Sequence, residues 1–167
     1  DVDGITPGSL FGLYAREAVG FAPCTAEAVV ELLDRSGVAL EGSRVCVVGR
    51  SLVIGRPVSL MLQDRNATVV MCHTRTRNLA EECRRADVLV VAAGHAGTIG
   101  ADCVSSGQVV VDVGINWDDE AGRLVGDVAF EEVEPLVRAI TPVPGGVGAG
   151  TTAVLAKHVV EAAERAS

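Results

Sequence analysis

Aromatic side chains make up only 3% of the 167 residues, and Lys157 is the single lysine among 14 cationic residues. So few aromatics leave no stacking platform for single-stranded nucleic acid. The formal charge of -8 repels polyanions over most of the surface unless a local basic pocket overrides it. No apolar run reaches the roughly 18 residues of a membrane span, and no basic-then-apolar leader opens the chain. These absences predict a cytoplasmic protein with neither nucleic acid nor membrane as partner. The five cysteines, Cys24, Cys46, Cys72, Cys83 and Cys103, are odd in number and form no CxxC pair, which argues against a zinc knuckle or a disulfide framework. They read as reduced thiols acting as small hydrophobes. His73, His95 and His158 are too scattered for a sequence-local metal site, so no metal is expected.

What is present is a core former: 49% hydrophobic, 22% charged, with 19 glycines for tight turns and small-residue packing, at the length of one domain. From residue 44 onward short apolar runs alternate with helical patterns, the rhythm of stacked βαβ units around a buried parallel sheet. Strands are expected at Val45–Val48, Thr68–Met71, Val88–Ala92, Val109–Val113 and, shorter, Ala139–Thr141. Helices are expected at Arg56–Gln63, Leu79–Arg85, Glu131–Val137 and from Thr151 to about Ala166. Upstream, Thr25–Ser36 reads as a helix with Thr25 as N-cap and Gly37 as its stop. The first twenty-odd residues carry the glycines and prolines of a loop, and an opening at Asp1 without methionine suggests that residues precede it. The fold expected is α/β, doubly wound and Rossmann-like, a mainly parallel sheet with helices on both faces.

The sharpest local signal is the stretch from Gly49 through Arg50 and Ser51 to Gly55, placed between an expected strand and an expected helix. A glycine turn there lets backbone approach a pyrophosphate, and the helix start offers free N–H groups and a positive dipole end. The spacing is not GxGxxG, and Val53 breaks the GxSxG pattern of a serine hydrolase. At the end of the second strand, where NAD-binding versions of this architecture place a ribose-binding carboxylate, Cys72–Arg77 holds none. Thr74, Arg75, Thr76 and Arg77, with Arg50, suit the 2′-phosphate of NADP; the alternative is a solvated helix start, which sets two arginines against the helix dipole. A third signal, Thr141–Thr151, carries Pro142, Pro144, Gly145, Gly146, Gly148 and Gly150, a loop able to bring bare backbone against a flat ring.

Together the residues resemble the bifunctional methylenetetrahydrofolate dehydrogenase/cyclohydrolase family of one-carbon metabolism. The resemblance spans the whole chain and rests on an ordered set: DVDG at Asp1–Gly4, PCT at Pro23–Thr25, VVGRSLVIGRP at Val47–Pro57, ATVVMCHTRT at Ala67–Thr76, ADVLVVAAG at Ala86–Gly94, VVDVGIN at Val110–Asn116, GDV at Gly126–Val128 and TPVPGGVG at Thr141–Gly148. It implies NADP-dependent oxidation of 5,10-methylenetetrahydrofolate, hydrolysis of the methenyl product to 10-formyltetrahydrofolate, and a homodimer. By resemblance Asp3 is the folate-pocket carboxylate and Cys24 lies near the cleft. Arg50 and Ser51 hold phosphates, Thr74 contacts the 2′-phosphate and Ile115 flanks the nicotinamide. Gly145, Gly146 and Val147 sit at the cofactor and substrate junction, and Gly49, Gly55, His73, Arg75, Gly94 and Thr151 complete the cofactor set. The resemblance divides the chain into a remnant of the folate cleft (1–24), an NADP-binding domain (25–150) and a C-terminal helix (151–167) that packs toward an N-terminal domain. It departs from the family pattern at Ser9 and Phe11, and at Ala149 and Gly150, which stand before a retained threonine cap. The family's catalytic lysine and tyrosine belong to that N-terminal domain, so no catalytic residue is assigned here and binding of cofactor alone is expected. The competing readings are a non-catalytic nucleotide-binding or regulatory module and an NADP dehydrogenase of another substrate class; DVDG and PGGVG weigh against the latter.

Overall fold

Strands covered on both faces read as unbroken apolar runs, and VCVV, VLVV and VVV do so here because water reaches neither side. The computed structural model describes residues 1–167. It begins with α1 (Pro7–Ala15) and α2 (Cys24–Arg35), followed by β1 (Arg44–Val48), α3 (Gly55–Asp64), β2 (Thr68–Cys72), α4 (Leu79–Arg84), β3 (Val88–Val91) and β4 (Val109–Asp112). A hairpin of β5 (Asn116–Asp118) and β6 (Arg123–Val125), then α5 (Phe130–Val133), β7 (Ala139–Ile140) and α6 (Val147–Arg165) complete the chain. The main sheet has the order β2-β1-β3-β4-β7 with every pair parallel, and the hairpin forms its own antiparallel ribbon.

Period-two alternation divides the strand side chains between two cores. Val45, Val47, Val88, Val90 and Val111 face α2, α3 and α6 and pack with Val29, Leu33, Leu62 and Val154. Cys46, Val48, Leu89, Val91 and Val110 face the other way, toward α4 and α5, and pack with Cys83 and Val133. Burying each of the larger side chains contributes about 1.5–3 kcal/mol. The doubly wound α/β class expected from the sequence is therefore the one that forms. All five cysteines are buried and unpaired, in line with their reading as small hydrophobes. No helix is long and apolar enough to cross a membrane.

Four expectations need correction. The N-terminal stretch read as loop contains α1, which buries Ser9 and Gly12 while Phe11 and Tyr14 stay exposed. Helix α2 starts at Cys24 with Pro23 at the N-cap position, so Thr25 lies in its first turn and caps nothing. The segment Glu131–Val137 is a short α5 followed by a 3-10 turn at Glu134–Leu136, because Pro135 brings no N–H to continue an α-helix. Helix α6 begins at Val147 rather than Thr151, so Gly148 and Gly150 are helical and Thr151 is an interior residue rather than a cap.

Candidate functional site

In the order β2-β1-β3-β4-β7 the chain turns outward in opposite directions from β1 and β3, and ligands of open α/β sheets bind beyond the carboxyl ends of strands at such a switch point. Here the loops after β1 and β3 meet backbone to backbone. Gly49 has φ +136°, and a Cβ on it would lie 2.2 Å from the Ala92 carbonyl oxygen. A Cβ on Gly55 would lie 2.3 Å from the Gly49 oxygen. Both positions therefore require glycine, and their contact draws the start of α3 under the turn. The Ser51 hydroxyl oxygen accepts the Ile54 N–H at 3.0 Å and the Gly55 N–H at 3.4 Å, which fixes the turn while the hydroxyl proton stays available to an anion.

Two cavities adjoin at this turn. The smaller, about 210 Å³, is lined by Gly49, Arg50, His73, Thr74, His95 and Thr98, among others. The larger, about 810 Å³, runs from Ala92–Gly94 past Ile115 to Gly145–Val147 and is closed by Thr25 and Thr151. Ser51, Ala92 and Ala93 line both. The structure thus gathers Gly49, Arg50, Ser51, His73 and Thr74 around one cavity and Ser51, Gly94, Ile115, Gly145, Gly146, Val147 and Thr151 around the other. Gly55 supports their junction.

Arg75 and Asp3 stand apart. Arg75 lines neither cavity; its N–H donates to His73 Nδ1 at 3.1 Å and its side chain is exposed. Arg75 and Arg77 also precede α4 rather than sit in its first turn, since Asn78 takes a left-handed conformation with φ +54° before Leu79 begins the helix. The opposing-dipole problem of the sequence reading therefore does not arise. Arg50, Arg75 and Arg77 make no ion pair, whereas Arg44, Arg65 and Arg85 elsewhere do. Arg50, with no ion pair of its own, lines the smaller cavity beside His73 and Thr74, and an unpaired guanidinium in an acidic protein suits a phosphate.

Asp3 is exposed and lines neither cavity. Its carbonyl oxygen accepts the Cys24 N–H at 3.3 Å, next to the cavity-lining Thr25. The adjoining segment is tied down by the buried His158, whose Nδ1 lies 2.8 Å from the Val2 carbonyl and whose Nε2 lies 3.0 Å from the Glu27 carboxylate. Burial, reinforced by the carboxylates of Asp3 and Glu27, pushes the Cys24 thiol up to about 11. It is a packing thiol, not a nucleophile, at neutral pH.

Sequence reasoning missed the two carboxylates of the larger cavity. Asp112, at the end of β4, accepts N–H bonds from Gly114 at 2.9 Å, Asp127 at 3.0 Å and Val128 at 2.9 Å. Asp127 accepts from Gly94 N–H at 2.7 Å and from Asn116 Nδ2 at 2.9 Å. Their exposures are 2% and 0%. Burial raises the Asp112 carboxyl above its ordinary 3.8, with the three N–H donors opposing and the Asp127 charge adding to the rise. The signal in the sequence was VVDVGIN and GDV, where one acid ends a valine-rich strand and the other follows a short one, each beside glycine.

Paired cavities meeting at a glycine turn and a helix start, beside unpaired arginines, define a dinucleotide-binding domain of the doubly wound α/β class. Residues 23–167 match the family described as tetrahydrofolate dehydrogenase/cyclohydrolase, NAD(P)-binding domain, and the chain belongs to that family. The bifunctional protein FolD of Carboxydothermus hydrogenoformans is 53% identical over 165 residues, which are 98% of this chain and 58% of that protein. The crystal structure of the bifunctional enzyme FolD from Campylobacter jejuni superposes with a TM-score of 0.95 at 42% identity, covering 100% of this chain and 59% of that one. The Trypanosoma brucei FolD, crystallised with NADP cofactor and inhibitor, gives 0.91 at 38% identity, covering 99% and 59%. The chain therefore spans a little under three fifths of the length of these relatives.

Proposed function

We propose that this chain is the cofactor-binding part of an NADP-dependent methylenetetrahydrofolate dehydrogenase and methenyltetrahydrofolate cyclohydrolase. The observation that carries the reading is the pair of cavities joined at Ser51, Ala92 and Ala93, with the Gly49 turn and Arg50 lining the smaller one; the Gly55 and Arg56 N–H groups that open α3 are taken by Ser51, so the turn rather than the helix end faces the ligand. The fit is one of bare backbone: at Gly49 and Gly55 the turn and the helix start approach so closely that no side chain fits between them. Gly49, Arg50 and Ser51 would hold the pyrophosphate, and Thr74 and His73, with Arg75 reaching in from the rim, the 2′-phosphate. Gly94 and Ile115 would flank the nicotinamide. When bound, NADP supplies the hydride acceptor.

Gly145, Gly146 and Val147 would hold the folate ring against the cofactor, and Asp3 would meet it from outside the cavity. The protein's contribution to hydride transfer is then orientation of two flat rings in a cavity of about 810 Å³. Hydrolysis of the methenyl bridge needs in addition an acid–base group. The only titratable side chains lining the larger cavity are Asp112 and Asp127, and both are committed to N–H donors. The group that moves the proton in cyclohydrolysis therefore comes from outside these residues, and the chain on its own binds cofactor without turning over. The homodimer implied by the resemblance belongs to the same proposal, and sedimentation of the purified protein tests it.

The deciding experiment is a titration with NADP and with NAD at two salt concentrations. One charge-assisted phosphate contact is worth about 1.5–3 kcal/mol, so NADP should bind roughly 10- to 100-fold tighter, with the advantage shrinking as salt rises. Equal affinity for the two cofactors, or an advantage insensitive to salt, would overturn the assignment.

A further inference from the structure

Two carboxylates with almost no exposure and no cation beside them are an expensive way to close a loop, since desolvation is offset only by hydrogen bonds. Their geometry is also tightly enforced. A Cβ on Gly114 would lie 2.3 Å from the Asp127 carboxyl, and one on Gly126 would lie 1.9 Å from that of Asp112. The two acids do different things. Asp112 binds only backbone N–H groups of the segments that follow β4 and β6, and so folds its own neighbourhood. Asp127 reaches across the cavity wall: Oδ2 takes the Gly94 N–H from the loop after β3, and Oδ1 takes Asn116 Nδ2, next to Ile115, from the start of β5. Gly94 and Ile115 are the two walls between which the ring would lie.

We propose that Asp127 is a positioning residue for the nicotinamide end of the cofactor, a strut that sets the separation of the Gly94 and Ile115 walls and so the plane in which the ring is held. This rests on the NADP reading above. The strut acts at one end of the site only. The smaller cavity, built by Gly49, Arg50, His73 and Thr74, shares no atom with it, so a ligand that fills that end alone is blind to Asp127.

The test compares NADPH with adenosine 2′,5′-bisphosphate, which carries the adenosine and 2′-phosphate but no nicotinamide. In Asp127→Asn only one δ atom accepts, so either the Gly94 N–H or the Asn116 amide faces another donor and one arm of the strut is lost. The expected result is about a tenfold loss of NADPH affinity, as for one hydrogen bond to a charged group, and loss of the change in nicotinamide fluorescence on binding. Affinity for adenosine 2′,5′-bisphosphate should stay within twofold of wild type. The double variant Asn116→Asp, Asp127→Asn exchanges acid and amide and restores both arms, at the loss of the Asn116 Nδ2 donation to the Gly126 carbonyl oxygen at 3.2 Å, and should recover part of the NADPH affinity. If Asp127→Asn does not fold, Asn116→Ala removes the arm on the hairpin side and carries the same expectation. Unchanged NADPH binding, a parallel loss of both ligands, or no recovery in the exchange would overturn the strut. Failure of the wild-type protein to bind either ligand would instead overturn the NADP reading and the strut with it.

Discussion

Replacing Gly55 by alanine sets two effects of opposite sign against each other. Alanine in place of glycine in a helix ordinarily gains up to about 1 kcal/mol. At Gly55 the new methyl would lie 2.3 Å from the Gly49 oxygen, 2.5 Å from the Gly49 carbonyl carbon and 2.8 Å from the Arg50 nitrogen. All three are backbone atoms, so relief requires the whole turn to retreat by about an ångström, a movement of the kind that costs about 1–3 kcal/mol. The clash wins by about 1–2 kcal/mol. For a domain of this size that lowers Tm by about 3–6 °C. Because the displaced atoms are those that would face the pyrophosphate, NADP affinity should fall by at least tenfold. The companion variant is Gly8→Ala in α1, where nothing lies within 4 Å of the added Cβ. It should leave Tm unchanged or raise it, with NADP binding intact. Thermal unfolding and an NADP titration on both variants decide the matter. A Gly55→Ala protein as stable and as tight-binding as wild type would refute the claim that this turn is built on backbone contact.

Leu62→Ala, at a side chain with no exposure between α3 and the sheet, should cost about 2–5 kcal/mol, read as a lower denaturant midpoint at unchanged slope. All five thiols should resist a disulfide reagent in the native protein and react together once denaturant is added; rapid native modification of Cys24, whose thiol is pushed to about 11, would contradict its placement. For Asp112, a carboxyl raised in the fold binds its proton more tightly there than in the unfolded chain. Its contribution to stability is therefore present below the ordinary 3.8 and is lost as pH rises through the higher folded value. A carboxyl-carbon NMR titration should place its midpoint above 3.8, and a midpoint at or below that value would show that the three N–H donors outweigh burial.

The sheet was legible because its three central strands, β1, β3 and β4, are buried on both faces and read as valine-rich runs with no need of alternation. The Gly49–Gly55 turn was legible for a related reason: a backbone contact admits one residue type only. Helix α1 was hidden because its buried residues are Ser9 and Gly12 while Phe11 and Tyr14 face outward, the inverse of an amphipathic pattern. The β5–β6 hairpin was hidden by its length, three residues a strand around an acidic turn. The true start of α6 was hidden by reading glycine as a helix breaker. Gly150 is helical, and a Cβ there would already lie 3.3 Å from that of Ala28, so it serves the close approach of α6 to α2. At the site, contacts made by backbone and by short motifs could be read, while the bonds that tie Asp112 to Val128 and Asp127 to Gly94 and Asn116 could not, because they join separate motifs of the chain.

That approach of α6 to α2 has a consequence for the site as a whole. Thr25 on α2 and Thr151 on α6 line one end of the larger cavity, their hydroxyl oxygens 3.4 Å apart, beside the Gly150–Ala28 contact. That end of the cavity is thus closed by two packed helices rather than by a loop. Opening it means pulling apart a seam that also holds the His158 and Lys157 contacts to Glu27, so a mutation that loosens the seam unseals that end of the cavity, and a ligand that wedges into it works against the cohesion of the core.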